Sequence, residues 1–95
     1  MLTADHGGAG GTDHSDADDP DNYTVPFLAW GAGVRPGSDL YALNPDRRHP
    51  GDAQPGWEGP QPVRNAEVAN LVLDLLGLPA VRGADANRRQ DLDLR

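Results

Sequence analysis

The sequence predicts part of an α/β fold. The chain is expected to form the edge of a mostly parallel sheet, one closing helix and long loops. Residues 23–30 form a short apolar run bounded by Asn22 and Gly31, as a buried strand would. Residues 68–76 are apolar around most of a helical circumference. One strand and one such helix cannot cover each other, because a lone strand leaves its backbone donors and acceptors unpaired. We therefore expect the main strands of the sheet to lie in polypeptide upstream of these residues.

Length and composition indicate a limited capacity for independent folding. The 95 residues carry 15 acidic side chains, 13 of them Asp, against 8 basic ones, all Arg, and they include 12 Gly and 9 Pro. Leu, Val and Phe fill 18 positions, just under the ~20% below which a highly charged chain tends to be disordered. An acidic, largely disordered interaction segment with no catalytic role is therefore the alternative that the composition leaves open.

Charge, hydropathy and cysteine content argue against several function classes. A formal net charge of −7 argues against a nucleic-acid-binding surface, which needs clustered Lys or Arg. We expect the pair Arg47 and Arg48 to be solvated. No apolar run approaches the ~20 residues of a transmembrane helix, so no membrane contact is expected. The absence of Cys excludes thiolate metal sites and a cysteine nucleophile within this chain.

Loop-forming residues surround the predicted strand. Residues 1–3 look like the last residues of an earlier strand. Pro26 places the 23–30 strand, which we expect to be buried on both faces, near an edge or a bulge. From residue 31 to residue 62, repeated Pro-Gly, Asn-Pro and Gly-Pro pairs forbid a long helix and predict an extended loop. Trp30 and Trp57 are expected to be packing residues.

One helix is predicted over residues 65–76. Asn65 can cap its start, and Glu67 lies near the positive end of the helix dipole. Residues spaced three and four apart form its polar stripe: Glu67, Asn70 and Asp74. Gly77 ends the helix, and Pro79 prevents it from resuming.

Potential metal ligands stand at the end of the first strand. Asp5 and His6 are adjacent and are followed by Gly7 and Gly8. Neighbouring side chains of a regular strand point to opposite faces, whereas a turn at the strand end can bring both toward one ion. A carboxylate oxygen and an imidazole nitrogen together suit zinc or manganese. His14, eight residues further on, offers a second imidazole from the loop that returns to the next strand.

The neighbouring motifs have simpler interpretations. The glycine-rich run 7–11 lacks a following helix and a Lys, so it is interpreted as a flexible hinge rather than a phosphate-binding loop. The acidic run 15–21 lacks the mid-loop Gly and terminal Glu of an EF-hand, and a solvated loop is expected. His49 lies beside two arginines in the Pro-rich loop and is expected at the surface.

Several motifs follow one another along residues 1–80: TADHG at 3–7, GTDH at 11–14, YTVPFLAWG at 23–31, RNAEVANL at 64–71 and LLGLP at 75–79. Their order resembles the C-terminal part of the alkaline phosphatase superfamily, which includes phosphopentomutases, cofactor-independent phosphoglycerate mutases, nucleotide pyrophosphatases/phosphodiesterases and sulfatases. The resemblance implies an alkaline-phosphatase-like sandwich. Residues 1–80 would be its incomplete C-terminal portion, and residues 81–95 a polar tail that we expect to be mobile.

The resemblance also implies a divalent-metal-dependent hydrolase of phosphate or sulfate esters, most similar to phosphodiesterases and phosphatases. By that likeness, Asp5 and His6 bind the metal ion that also contacts the nucleophile, and His14 binds the second of two ions, zinc or manganese. The substrate is then a small phosphate- or sulfate-ester molecule. The family's nucleophile and remaining ligands precede the Asp-His pair, so no catalytic residue is assigned in this chain. Alone, the chain is expected to be inactive, and a complementing N-terminal part is a possible partner.

Overall fold

Two short strands, two α-helices and two 3₁₀ turns are the regular elements of the computed structural model, which describes residues 1–8, 10, 13–52 and 56–95. The strands are β1 (Leu2–Thr3) and β2 (Phe27–Leu28), and the helices are α1 (Leu40–Leu43) and α2 (Val68–Leu75). The 3₁₀ turns cover Pro20–Asn22 and Asn65–Glu67, and the second runs directly into α2. None of the helices in this described part combines the length and apolar character needed to cross a bilayer.

The two strands pair antiparallel, with Leu2 opposite Leu28. The paired segment is much shorter than the predicted 23–30 strand, and Pro26, which has no N–H to donate, stands immediately before it. The expected burial of both strand faces is wrong for Leu28 and Trp30, whose side chains are 55% and 64% exposed. The mostly parallel sheet of an alkaline-phosphatase-like sandwich stays a prediction, since the described residues form one antiparallel pair.

The start of α2 is organised by Glu67 rather than by Asn65. The backbone N–H of Arg64 donates to Oε1 of Glu67 at 3.2 Å, while the backbone N–H of Glu67 donates to the carbonyl of Arg64 at 2.9 Å. This reciprocal pair closes the first turn in the manner of half a capping box. The prediction that Asn65 caps the helix is therefore wrong, because its side chain is used elsewhere, as described below.

The end of α2 follows the sequence prediction. Gly77 has a φ of +67°, the left-handed conformation that Gly adopts without steric cost. Its N–H donates to the carbonyl of Asp74 at 2.9 Å, and the N–H of Leu78 donates to that of Leu73 at 2.8 Å. These two bonds make a Schellman motif, which satisfies the carbonyls that a helix end leaves free. The predicted stop at Gly77 is confirmed.

The polar stripe of α2 faces inward, contrary to the pattern expected of a surface helix. Asn70 and Glu67 are 1% and 4% exposed, whereas Leu76 is 66% exposed. The Asn70 side chain bonds the segment after the helix: its Oδ1 accepts from the N–H of Val81 at 2.7 Å, and its Nδ2 donates to the carbonyl of Ala86 at 2.7 Å. Burial of Asn70 is tolerated because both ends of its side-chain amide are hydrogen-bonded.

The core contains the C-terminal segment, so the expected mobile tail is wrong for the last residues. Leu71 of α2, Leu92 and Leu94 are its buried apolar side chains, 1%, 3% and 5% exposed. The buried Asn44 pairs with this segment like a neighbouring strand. Its Nδ2 donates to the carbonyl of Asp93 at 2.8 Å, and its Oδ1 accepts from the Asp93 N–H at 2.7 Å. Leu92 and Leu94 are thereby buried in the core, while Asp93 between them is exposed.

An ion-pair network joins the long loop, α2 and the C-terminal segment. Nη2 of Arg47 lies 3.2 Å from Oε2 of Glu67 and 3.3 Å from Oδ1 of Asp91. Burial raises the pKa of Glu67, and the guanidinium of Arg47 opposes that shift. The expectation that Arg47 is solvated is wrong, because its side chain is 16% exposed and paired, whereas Arg48 is exposed as predicted.

Candidate functional site

The three predicted metal ligands line one cavity of about 630 Å³. Asp5 and His6 enter from the turn after β1, and His14 enters from the returning loop. The lining also includes residues just before and at the start of the helix: Pro62, Val63, Arg64, Asn65 and Ala66. The topology thus brings residues from both halves of the chain to one concave surface.

Asp5 and His6 face each other across a short gap. Oδ2 of Asp5 lies 3.6 Å from Nε2 of His6. Nδ1 of His6 lies 2.7 Å from the carbonyl oxygen of Gly7, and because a carbonyl can only accept, this nitrogen carries the proton of that bond. In the neutral imidazole, Nε2 then presents a lone pair toward a carboxylate oxygen. Such a pair of acceptors can share a cation.

His14 stacks on His6. The two ring centroids are 4.4 Å apart, with an angle of 26° between the ring planes. The segment is shaped by Asp13, whose Oδ1 accepts from the N–H of Ser15 at 2.9 Å and from its hydroxyl at 2.8 Å. These hydrogen bonds lower the pKa of Asp13. Stacked imidazoles place their edges side by side. The two rings can therefore coordinate two neighbouring ions rather than a single shared one.

The turn after β1 that carries Asp5 and His6, called the ligand turn below, is held in place by close packing at Gly7. The N–H of Gly7 donates to the carbonyl of Asn22 at 2.9 Å, and a Cβ at this position would stand 1.8 Å from the carbonyl oxygen of Asp21. The prediction of a flexible hinge is therefore wrong at Gly7. Ala9, Gly11 and Thr12, which belong to the predicted hinge and to the GTDH motif, lie outside the described residues.

Asn65 ties the helix start to the ligand turn. Its Nδ2 donates to the carbonyl of Ala4 at 3.1 Å and to that of Asp5 at 2.7 Å. The two hydrogen bonds join residues about sixty positions apart and fix the backbone that carries Asp5 and His6. No local signal in the sequence distinguishes this role from helix capping, because both use the same amide.

The fit to a metal ion is that of a partial site. The donors are a carboxylate and two imidazoles, the set that zinc and manganese accept. Across the described ranges, no group of three or more His, Cys, Asp or Glu side chains is arranged to hold an ion. Asp16 and Asp19, in the acidic run beside the cavity, instead accept hydrogen bonds from the N–H groups of Asp18 and Asp21, each at 2.9 Å. This run forms turns, in agreement with the predicted solvated loop.

The cavity also contains an arginine that the sequence analysis did not identify. Cζ of Arg64 lies 4.1 Å from the centroid of the Trp57 ring, and Nη2 of Arg64 donates to Oε1 of Gln61 at 3.0 Å. Trp57 is 78% exposed, so the expectation that it is a packing residue is wrong. The indole ring of Trp57 instead lies against the guanidinium of Arg64. The third histidine, His49, is exposed as predicted and contacts Tyr41, with ring centroids 5.1 Å apart.

The chain is similar to a curated protein over most of its length. The curated protein is GPI ethanolamine phosphate transferase 1 of Yarrowia lipolytica, which is 35% identical over 81 residues. The matched stretch covers 82% of this chain and 8% of that protein. No family model and no solved structure matches the chain.

That relative is a member of the alkaline phosphatase superfamily. The similarity therefore supports, at the level of the superfamily, the resemblance that the sequence motifs predict.

Proposed function

We propose that this chain supplies part of the metal centre of an enzyme that hydrolyses or transfers phosphate esters with the help of divalent cations. The observation that carries the proposal is the convergence of Asp5, His6 and His14 on one cavity. The similarity to a phosphate transferase favours phosphate esters over sulfate esters as the substrate class.

Each residue has a distinct part in this proposal. Asp5 and His6 hold one cation, zinc or manganese, and His14 holds a second. Bound there, the ions would neutralise charge on the phosphoryl group and activate the nucleophile. The Gly7 carbonyl keeps the His6 proton on Nδ1, so that Nε2 stays free to act as a ligand. Asn65 orients the backbone of the pair through its hydrogen bond to the carbonyl of Asp5.

The nucleophile and the remaining ligands are proposed to come from polypeptide outside this chain. The described residues form no complete coordination site for an ion. Ligands from that polypeptide would therefore complete the coordination of each bound cation. The 95-residue chain should therefore bind metal weakly and should not hydrolyse phosphodiesters. Robust turnover of bis(4-nitrophenyl) phosphate by the chain with added zinc or manganese would contradict this part of the proposal.

Metal titration tests the ligand assignment directly. Cobalt(II) can be titrated into the full chain and followed by its visible absorption, in the wild type and in His6→Ala, His14→Ala and His49→Ala. Removing a ligand should weaken binding by at least roughly 10-fold, since even outer-shell partners of a ligand change metal affinity by 10- to 100-fold. His49→Ala is the matched control, because His49 is exposed and does not line the cavity.

The outcome decides between two functions. Loss in the His6 and His14 variants alone supports the metal centre. An equal response of all three variants, or weak binding that no His substitution changes, would contradict it and would favour the acidic interaction segment, whose carboxylates attract cations without specific ligands.

A further inference from the structure

Arg64 lines the same cavity as the three candidate ligands. Its guanidinium stacks on the ring of Trp57, with Cζ 4.1 Å from the ring centroid. A cation over an indole face is stabilised by the ring quadrupole, and a planar guanidinium that stacks in this way keeps its N–H groups pointing outward in its own plane. Trp57 therefore stabilises the charge of the guanidinium without accepting a hydrogen bond from it.

The donors of Arg64 are only partly used. A guanidinium has five N–H donors, and the described residues give this one a single hydrogen bond, from Nη2 to Gln61 at 3.0 Å. Nε is buried and has no partner among the described residues. A buried donor without an acceptor costs about 1–3 kcal/mol, so an arginine with a purely structural role is expected to have it satisfied. Nε–H and three of the four Nη N–H groups therefore have no acceptor among the described residues.

The charges around the cavity define which acceptor fits. Besides Arg64, its charged lining is Asp5 and Asp16, and both of its histidines are candidate metal ligands. With neutral imidazoles the cavity therefore carries a net negative charge, which repels an anion. Divalent cations at Asp5, His6 and His14 would reverse that sign, and an anion would then be attracted by the metal ions and by the guanidinium together.

We propose that Arg64, held by Trp57 and Gln61, binds the phosphoryl oxygens of the substrate and that it does so only when the metal site is filled. The inference rests on the proposed function and adds to it the residue that grips the transferred group. A phosphate monoester or diester presents pairs of oxygens whose spacing matches the guanidinium fork. The guanidinium of Arg64 would not strengthen the binding of a neutral molecule or a cation. Because anion and metal attract each other, each should also tighten the binding of the other by the same factor.

Methylphosphonate, a stable and transparent phosphate mimic, is a suitable probe. It is titrated into the full chain with and without zinc, in a Trp30→Phe background, so that the emission of Trp57 alone reports on Arg64. Trp30 is exposed and does not line the cavity. Zinc affinity is measured separately for every variant, in the absence of phosphonate. The Nε–H resonance of Arg64 in ¹⁵N spectra of the unsubstituted chain gives a readout that needs no variant.

The inference predicts a shift of the Arg64 Nε–H resonance on addition of phosphonate to the zinc-loaded chain, and none without zinc. Arg64→Gln should weaken phosphonate binding roughly 10- to 100-fold, the range for charge-assisted hydrogen bonds, with zinc affinity unchanged. Arg64→Lys should recover part of the loss, because it keeps the charge but not the fork. Arg82→Gln is the matched control, since Arg82 is exposed and lies outside the cavity.

Different results would contradict the Arg64 inference and the proposed metal centre. If the wild type binds zinc through His6 and His14 but Arg64→Gln binds phosphonate as well as the wild type, or Arg82→Gln loses as much, the inference is wrong and the metal centre stands. If Arg64→Gln does not fold, an Nε–H resonance that phosphonate leaves unmoved in the zinc-loaded wild type is the decisive negative result. If zinc does not bind to the wild type, the proposed function fails, and this inference fails with it.

Discussion

Leu92 provides the sharpest test of the fold, because sequence and structure assign it opposite environments. Its side chain is 3% exposed and packs with Leu71 and Leu94, whereas the composition of residues 82–95 predicts a solvated tail. Leu92→Ala removes three buried carbon groups, which at about 0.8 kcal/mol each costs roughly 2.4 kcal/mol of transfer free energy. The remaining cavity brings the expected loss into the range of about 2–5 kcal/mol.

That loss is a large part of the total stability. A single domain has a free energy of unfolding of about 5–15 kcal/mol. At 4–8 °C per kcal/mol for a chain of this size, a loss near 3 kcal/mol lowers Tm by roughly 12–24 °C. Urea unfolding followed by far-ultraviolet circular dichroism measures the change at constant temperature, and a thermal melt measures the shift in Tm.

Leu76→Ala is the matched control for this experiment. The substitution is the same, but Leu76 is 66% exposed, so its loss should stay within about 0.5 kcal/mol, as for most surface positions. If Leu92→Ala and Leu76→Ala lower the free energy of unfolding equally, the C-terminal segment does not pack into the core and the reasoning is refuted.

Three further substitutions test the ligand turn and the helix start. Gly7→Ala places a Cβ 1.8 Å from a backbone carbonyl oxygen and should destabilise by about 1–3 kcal/mol in urea unfolding; Gly56→Ala, in open space, should not, and equal effects would show that the turn is not close-packed. Asn65→Ala removes two hydrogen bonds to the ligand turn and should cost about 1–2 kcal/mol, while also weakening cobalt binding; unchanged binding would separate Asn65 from the metal site. Because burial raises the pKa of Glu67 above its ordinary value of 4.5, the folded state binds this proton more tightly than the unfolded chain. The contribution of Glu67 to the free energy of unfolding is thus greatest below pH 4.5, and it is lost as the pH rises through the raised pKa of the folded state. Glu67→Gln should abolish this decline in unfolding titrations from pH 4 to 8, and a parallel decline in both proteins would contradict the assignment.

The sequence singles out the candidate ligands but not the other residues that line their cavity. Asp5, His6 and His14 stand out in the sequence because their chemistry and spacing are local. Arg64 does not, because its importance depends on Trp57, seven residues away in a loop, and on the ligand turn lining the same cavity. Asn65 lies at a position where capping is the ordinary interpretation, and its long-range hydrogen bonds leave no trace in the local pattern.

The sequence by itself determined the features of this protein that depend on a few adjacent residues. Gly77 ends the helix because only a residue without a side chain adopts its left-handed conformation freely, and the Pro-Gly pairs keep the region before the helix free of long elements. Tertiary structure decided which surfaces are buried. The polar stripe of α2 faces inward because Asn70 finds partners in the segment 81–86, and Leu92 is buried because Asn44 pairs with the backbone beside it. Burial depends on contacts between distant parts of the chain, and periodicity within a single segment cannot specify them.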